Sequence, residues 1–387
     1  MAIPLKYNVR SLLVRHVSTA MTAGGITLVV TVFVIVMAMV AGIGATIADS
    51  GAPDNMVVVR RGATTETYSL ITLDQFDALR FLPGIRRDAA GNPMASPELP
   101  VQTALQRTSG GSDYIVFRGV LPVALEVHGQ VHLIEGRMFS PGLNEIIVGK
   151  GLIGRYANCA LGAMLRFGRG RWRVVGIFEA QGSSFESEIW GDIHHVQDEA
   201  QRGAYYASAR IKLAPGADAI ALVQRIADDP RINLQAQSEP AYYADEATVA
   251  GQLRKLVLLV AVIMGIGAIF GAMNTMYAAV GARTVEIATL RALGFGPGSV
   301  MLSFLTESIV LAVGAGAIGV VLALPINGFS TTFLNFVTFS TLSFSFRVGP
   351  VIIIEAFAFA ALMGLLGGWL PARQAMRMTV VDALRHV

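Results

Sequence analysis

"LVLLVAVIMGIGAIFGAMNTMYAAVGA", residues 256–282, runs its whole length without an Asp, Glu, Lys or Arg. About 20 helical residues cross the roughly 30 Å hydrocarbon core of a bilayer, so the stretch reads as a membrane span. Three more runs pass the same test. "GGITLVVTVFVIVMAMVAGIGATIA", residues 24–48, is uncharged. "VMLSFLTESIVLAVGAGAIGVVLALPI", residues 300–326, carries only Glu307, and "VIIIEAFAFAALMGLLGGWLPA", residues 351–372, only Glu355. Composition agrees: 53% of the 387 residues are hydrophobic and 15% charged, with a mean hydropathy of +0.56, unlike an ordinary soluble domain. The first run follows a basic start, but it far exceeds the roughly 7 to 15 residues of a secretory signal core and reads as a retained anchor.

Lys and Arg in the short segments set the orientation. Residues 1–23 hold Lys6, Arg10 and Arg15 and no acid. Residues 283–299 hold Arg283 and Arg291 against Glu286, and the tail, 373–387, holds Arg373, Arg377 and Arg385 against Asp382. All three belong on the cytoplasmic side, with both termini. In the leader, Leu5, Val9 and Leu12 share one face, as in an amphipathic helix lying on the membrane surface.

Residues 49–250 and the short loop 327–350 then lie outside. Within 49–250, "NMVVVRRG" reads as a strand and "TLDQFDALRFL" as a helix capped by Thr72. From about 100 to 192, short strands alternate with glycine turns, as in "LRFGRGRWRVVGIFEA"; "YASARIKL", "GADAIALVQRIADD" and "INLQAQSE" follow as strand, helix and strand. The expected fold is therefore integral membrane α-helical, with four transmembrane helices and a large extracytoplasmic α+β domain. That domain is a mixed subdomain carrying an inserted, mainly β subdomain. "EATVAGQLRKLVLL" continues into the second span without a breaker, so residues 251–282 combine a stalk with that span.

No catalytic, cofactor-binding or metal residue is assigned. "GLNEIIVGKG" has the wrong spacing for a phosphate loop and Gly151 where a hydroxyl would hold magnesium. Gly314, Gly316 and Gly319 match G-x-G-x-x-G inside the third span, where they form a packing surface. His194 and His195, read on a strand, point to opposite faces and make a poor metal site. Ser183 and Ser184 lack the G-x-S-x-G setting, and Cys159 reads as a small hydrophobe. A net charge of +3, with basic residues spread along the chain, gives no sign of nucleic acid.

Gly267 and Gly271 form G-x-x-x-G in the second span, and Gly364 and Gly368 repeat it in the fourth. Such faces pack against other helices, in a second copy or in the same chain. Glu307 and Glu355 are costly in hydrocarbon and turn to the bundle interior or to interfacial water.

Between the second and third spans, "EIATLRALGFGPGSV", residues 286–300, is polar where its neighbours are apolar. At 100° per residue, Arg283, Glu286, Ile287 and Leu290 cluster opposite Val285, Ala288 and Ala292. Gly294, Gly296, Pro297 and Gly298 then end the helix. A short helix with this mixed face is shaped to dock into a groove on a partner.

"ARTVEIATLRALGFGPGSVMLSFLTES" resembles the coupling segment of the MacB/FtsX-like permeases of ABC transporters. "GGWLPARQAMRMTVVDALRHV" is similar to their C-terminal ending, and "VHLIEGRMFSPGLNEIIVGKGL" resembles the entry to their extracytoplasmic core domain. The resemblance implies a permease of the mechanotransmission type, in which Arg283, Glu286, Ile287, Leu290, Arg291, Leu293 and Gly294 contact a cytoplasmic ABC ATPase. The family's fused members carry a Walker motif on the same chain. None occurs here, so the resemblance implies a stand-alone permease, with no cofactor of its own and with ATP and Mg on the partner ATPase. It further implies a homodimer in the bacterial inner membrane, in contact with lipids. A periplasmic adaptor and an outer-membrane channel are common companions. The expected function is non-catalytic: export or efflux, with lipoprotein extraction or signalling without transport as alternatives.

Overall fold

In the computed structural model, residues 16–335 and 340–378 are described. The helices are α1 (His16–Ala48), α2 (Leu73–Arg80), α3 (Ala124–His128), α4 (Ile193–Glu199), α5 (Ala219–Asp228), α6 (Glu239–Glu246), α7 (Thr248–Ala282), α8 (Thr284–Ala292), α9 (Pro297–Ala323) and α10 (Pro350–Arg377). The strands are β1 (Asn55–Arg60), β2 (Ile71–Thr72), β3 (Ala95–Gln106), β4 (Ser112–Val120), β5 (His132–Gly136), β6 (Glu145–Gly149), β7 (Met164–Phe167), β8 (Gly170–Glu179), β9 (Glu188–Asp192), β10 (Tyr205–Tyr206), β11 (Ser208–Lys212), β12 (Leu234–Ser238), β13 (Ser330–Asn335) and β14 (Ser340–Ser345). They form two compact units. Met1–Gly42, Ala250–Phe329 and Phe346–Val387 make the first; Ile43–Val249 and Ser330–Ser345 make the second.

Among the described residues, the membrane unit contains four helices long and apolar enough to cross a bilayer. Two open with proline at a first-turn position, α9 after Gly296 and α10 after Gly349, where the missing N–H costs nothing. Ile26, Val30, Phe33 and Val34 of α1 pack against Ala312 and Ala315 of α9 and Ala356, Ala360 and Met363 of α10. Thr27 Oγ1 and Thr31 Oγ1 donate to the carbonyls of Ala315 and Gly319 at 2.9 and 3.1 Å. Several expected boundaries move. Helix α1 already runs unbroken from His16, so residues 16–23 continue the span; the amphipathic-leader reading for 1–15 lies outside the described residues, as does the tail from 379. A turn at Ala247 separates α6 from α7, so the stalk helix starts at Thr248 instead of running on from Glu246. At 1.5 Å per residue, its 35 residues extend about 52 Å, well beyond a bilayer core.

The outer unit is built on one sheet of order β12-β1-β11-β3-β4-β9-β6-β8-β5, with β7 paired to β8. β3 joins its halves: Ala95–Glu98 pairs with β11 and Leu99–Gln106 with β4. The insertion expected at residue 100 thus begins inside a strand shared with the mixed subdomain. Thr72 caps helix α2 as expected, in a capping box with Gln75, while α5 buries Leu222 and Ile226. Phe117 meets Phe167 and Trp172 edge-on in the core. Two readings change. Residues 327–350 are more than a loop, because β13 and β14 pair from Ser330↔Ser345 to Asn335↔Ser340 and pack within the outer unit. Ser343 N donates to Ser187 Oγ, and Arg155 Nη1 donates to Ser343 Oγ, both at 2.8 Å. His194 and His195 open helix α4, capped by Asp192, and are not on a strand.

Two arginines, Arg118 and Arg210, are buried beneath this sheet among four glutamates. Arg118 pairs with Glu66, Glu98 and Glu188 at 2.8, 2.9 and 2.6 Å. Arg210 pairs with Glu66 and Glu239 at 2.6 and 3.0 Å, and with Glu98. Tyr243 accepts from Arg210 Nη2 at 2.8 Å. Burial pushes the Glu98 carboxyl up, but Arg210, His128 and Arg118 outweigh it and hold the group at about 2.

Candidate coupling site

Helix α8 forms where the chain leaves α7 and must turn back into α9. Its C-terminus closes as a Schellman motif: Phe295 N donates to the Leu290 carbonyl and Gly294 N to that of Arg291, both at 3.1 Å. This closure puts Gly294 at φ +92°, a conformation that favours glycine.

One face of α8 is held by the bundle. Ile287 is 2% exposed, in a cluster with Met276 and Val280 of α7, Val300 and Phe304 of α9, and Ala372 and Ala375 of α10. Arg283 Nη1 donates to Glu307 Oε2 at 2.8 Å, with both side chains largely buried. Its contact to Glu286 is longer, 3.8 Å. Arg291 Nη1 donates to the carbonyls of Met376 and Met378 at the end of α10.

The other face is open. Val285, Glu286, Thr289, Ala292 and Leu293 are exposed, with Leu293 at 71%. Their spacing of one, four, seven and eight residues makes one helical stripe. The expected contact residues divide between the two faces. Arg283, Ile287 and Arg291 anchor the helix, Leu290 is half-buried, and Glu286, Leu293 and Gly294 of the expected set are exposed. Val285, Thr289 and Ala292 join them. Periodicity defines the faces of a helix, but the neighbours decide which face is buried, and here Glu307 and the end of α10 supply the partners.

The two glycine pairs behave differently. A Cβ on Gly364 would sit 2.7 Å from Ala312 Cβ, and one on Gly368 would sit 2.6 Å from Ser308 Cβ. Ser308 Oγ also donates to the Gly364 carbonyl at 2.7 Å, so this motif is used within the chain, between α9 and α10. Nothing lies within 4 Å of a Cβ built on Gly267 or Gly271. They line an open groove between α1 and α7 with Gly25, Thr22 and Thr275. Both intramembrane carboxylates are ion-paired, Glu307 with Arg283 and Glu355 with Arg254 of α7.

Residues 19–229 match the MacB-like periplasmic core domain and residues 258–380 the FtsX-like permease C-terminal domain. The macrolide export ATP-binding/permease protein MacB of Chromobacterium violaceum is 39% identical over 148 residues, covering 37% of this chain and 22% of that protein. The protein of the same name from Escherichia coli K12 is 29% identical over 233 residues, covering 58% and 35%. The chain thus spans about a third or less of the length of these relatives. The periplasmic region of MacB from Actinobacillus actinomycetemcomitans superposes with a TM-score of 0.39 and 12% identity, over 50% of this chain and 92% of that one. Two family domains in this order, on four apolar helices and an α/β outer domain, settle the classification: the chain belongs to the MacB/FtsX-like family of ABC transporter permeases.

Proposed function

We propose that this chain is the non-catalytic membrane subunit of an ABC-type export complex in the bacterial inner membrane, with both termini and α8 in the cytoplasm. The observation that carries the reading is the exposed stripe on α8, a helix fixed to the bundle by Arg283–Glu307 and Arg291. A helix anchored on one face and bare on the other can receive a push from a partner and pass it on. The partner is an ABC ATPase that binds ATP and Mg. Its closure moves α8, and the long helix α7 carries the motion outward. The open groove at Gly25, Gly267 and Gly271 supports pairing with a second copy, because small residues let helix backbones approach closely. The relatives' names make a macrolide the first substrate to try, with an adaptor and outer-membrane channel as further companions.

A second reading, extraction of a lipidated substrate, is favoured by one feature. Val32, Phe33 and Val36 of α1 face Leu256, Val257 and Val260 of α7 across an apolar groove of about 250 Å³.

Co-purification of the ATPase from detergent-solubilised membranes tests the leading reading. Glu286→Arg combined with Leu293→Asp should abolish capture, while Ser330→Ala should leave it intact. Equal capture by the Glu286→Arg, Leu293→Asp variant would remove the docking face from consideration.

A further inference from the structure

Four of the 30 basic residues stand close together in one hairpin. The β7–β8 hairpin reads "MLRFGRGRWR", residues 164–173, with four arginines and no lysine. Alternation along its two strands sends Leu165, Phe167 and Trp172 into the core and leaves Met164, Arg166, Arg171 and Arg173 exposed on the outward face. Arg169 stands exposed in the turn. Arg166 lies directly opposite Arg171, and Met164 opposite Arg173. Like charges so placed repel, with Cβ atoms about 5 Å apart.

Local carboxylates leave this charge uncompensated. Glu145 is in register with Arg173, but both its oxygens accept from Arg137, Oε2 from Nη1 at 2.7 Å and Oε1 from Nη2. At the turn, Glu199 Oε2 accepts from the backbone N–H groups of Arg169 and Gly170 at 2.6 and 3.0 Å. Among the described residues, none of the four guanidinium groups makes an ion pair with a carboxylate. Charge on an edge strand also guards against strand-to-strand aggregation. One charged residue per edge serves that purpose, whereas a directly opposed arginine pair adds repulsion for no gain in protection.

We propose that this outward face docks an acidic face of a second extracytoplasmic protein. Arginine forks bind carboxylates with two parallel hydrogen bonds. Met164 and Leu161 beside them are 48% and 46% exposed, and exposed methionine and arginine without lysine is the composition of a protein interface. The placement outside the cell rests on the sidedness of the proposed function, but the binding itself is read on purified protein and does not depend on ATPase docking.

The test uses the full chain in neutral detergent and fluorescence anisotropy of a fluorescein-labelled polyglutamate peptide, with inorganic polyphosphate as competitor. The peptide should bind at low salt and weaken at high salt, and Arg166→Gln combined with Arg171→Gln should weaken it about tenfold. The same variant should melt at an unchanged or higher temperature, because it removes a repulsion. Equal peptide binding by wild type and variant overturns the proposal. So does a lower melting temperature of the variant, which would make the arginines structural. Polyphosphate binding tighter than the peptide, with the same sensitivity to the two substitutions, overturns it in favour of a phosphate-bearing polymer.

Discussion

Arg283 and Glu307 are 24 positions apart, yet their pairing helps decide which side of α8 is held against the bundle. Removing one member leaves the other largely buried without its counter-charge, which costs about 3–5 kcal/mol, whereas an apolar pair of similar volume is tolerated. Glu307→Gln should therefore lower the melting temperature and weaken ATPase capture, and Arg283→Met with Glu307→Leu should recover most of the melting temperature. Failure of the double variant to recover would deny that the pair acts as a unit. Glu98 offers a second prediction. Its folded-state pKa, about 2, is below the ordinary 4.5, so its contribution is fully present above pH 4.5 and is lost as pH falls toward 2. Glu98→Gln should be less stable than wild type at pH 7, and the gap, read from Trp172 and Trp190 fluorescence, should narrow between pH 5 and pH 2. Little of this was legible in the sequence. Arg210 and Glu98 are 112 positions apart, and only the pairing of β11 with β3 brings their side chains under one sheet.

Among the helices, the same small-residue motif occurs in two settings, packed at Gly364 and Gly368 and open at Gly267 and Gly271. Gly364→Val should prevent the close approach of α9 and α10 and reduce the yield of folded protein, since Ala312 and the Ser308 backbone already occupy the space. Gly267→Val should leave folding intact and shift the solubilised protein toward the monomer in light scattering. A folded, fully dimeric Gly267→Val protein would exclude that groove as the pairing surface. The spans themselves were legible because hydropathy over about 20 residues is a local property. The exposed face of α8 was not, because a nine-residue helix with apolar residues on both sides gives no sign of which side its neighbours will cover. The β13–β14 hairpin went unread because six-residue strands rich in Ser and Thr resemble a polar connection until they meet a sheet.

For the molecule as a whole, sidedness is the property that the proposed mechanism most needs. Cys159, the sole cysteine, is 1% exposed, and burial pushes its thiol up to about 11, so it should stay unreactive at neutral pH. Cysteines placed at Leu293 and at Tyr68, which are 71% and 72% exposed, should then be labelled from opposite faces of the membrane by an impermeant maleimide. Labelling of both from the same face would refute the assigned topology. The succession of spans and outer domain was legible in advance because hydropathy acts over whole segments, whereas the division into units was not. The second unit takes in Ser330–Ser345 from a distant part of the chain. That arrangement has a consequence for biogenesis. A ribosome delivers residues 43–249 long before residue 330, so the outer domain is made without its final piece. The surface at Arg155 and Ser187 that receives Ser343 lacks this partner until the chain beyond α9 has been made. Completion of the outer domain should therefore come only after α9 has been made, and a chain ending before Ser330 would lack the partner of that surface.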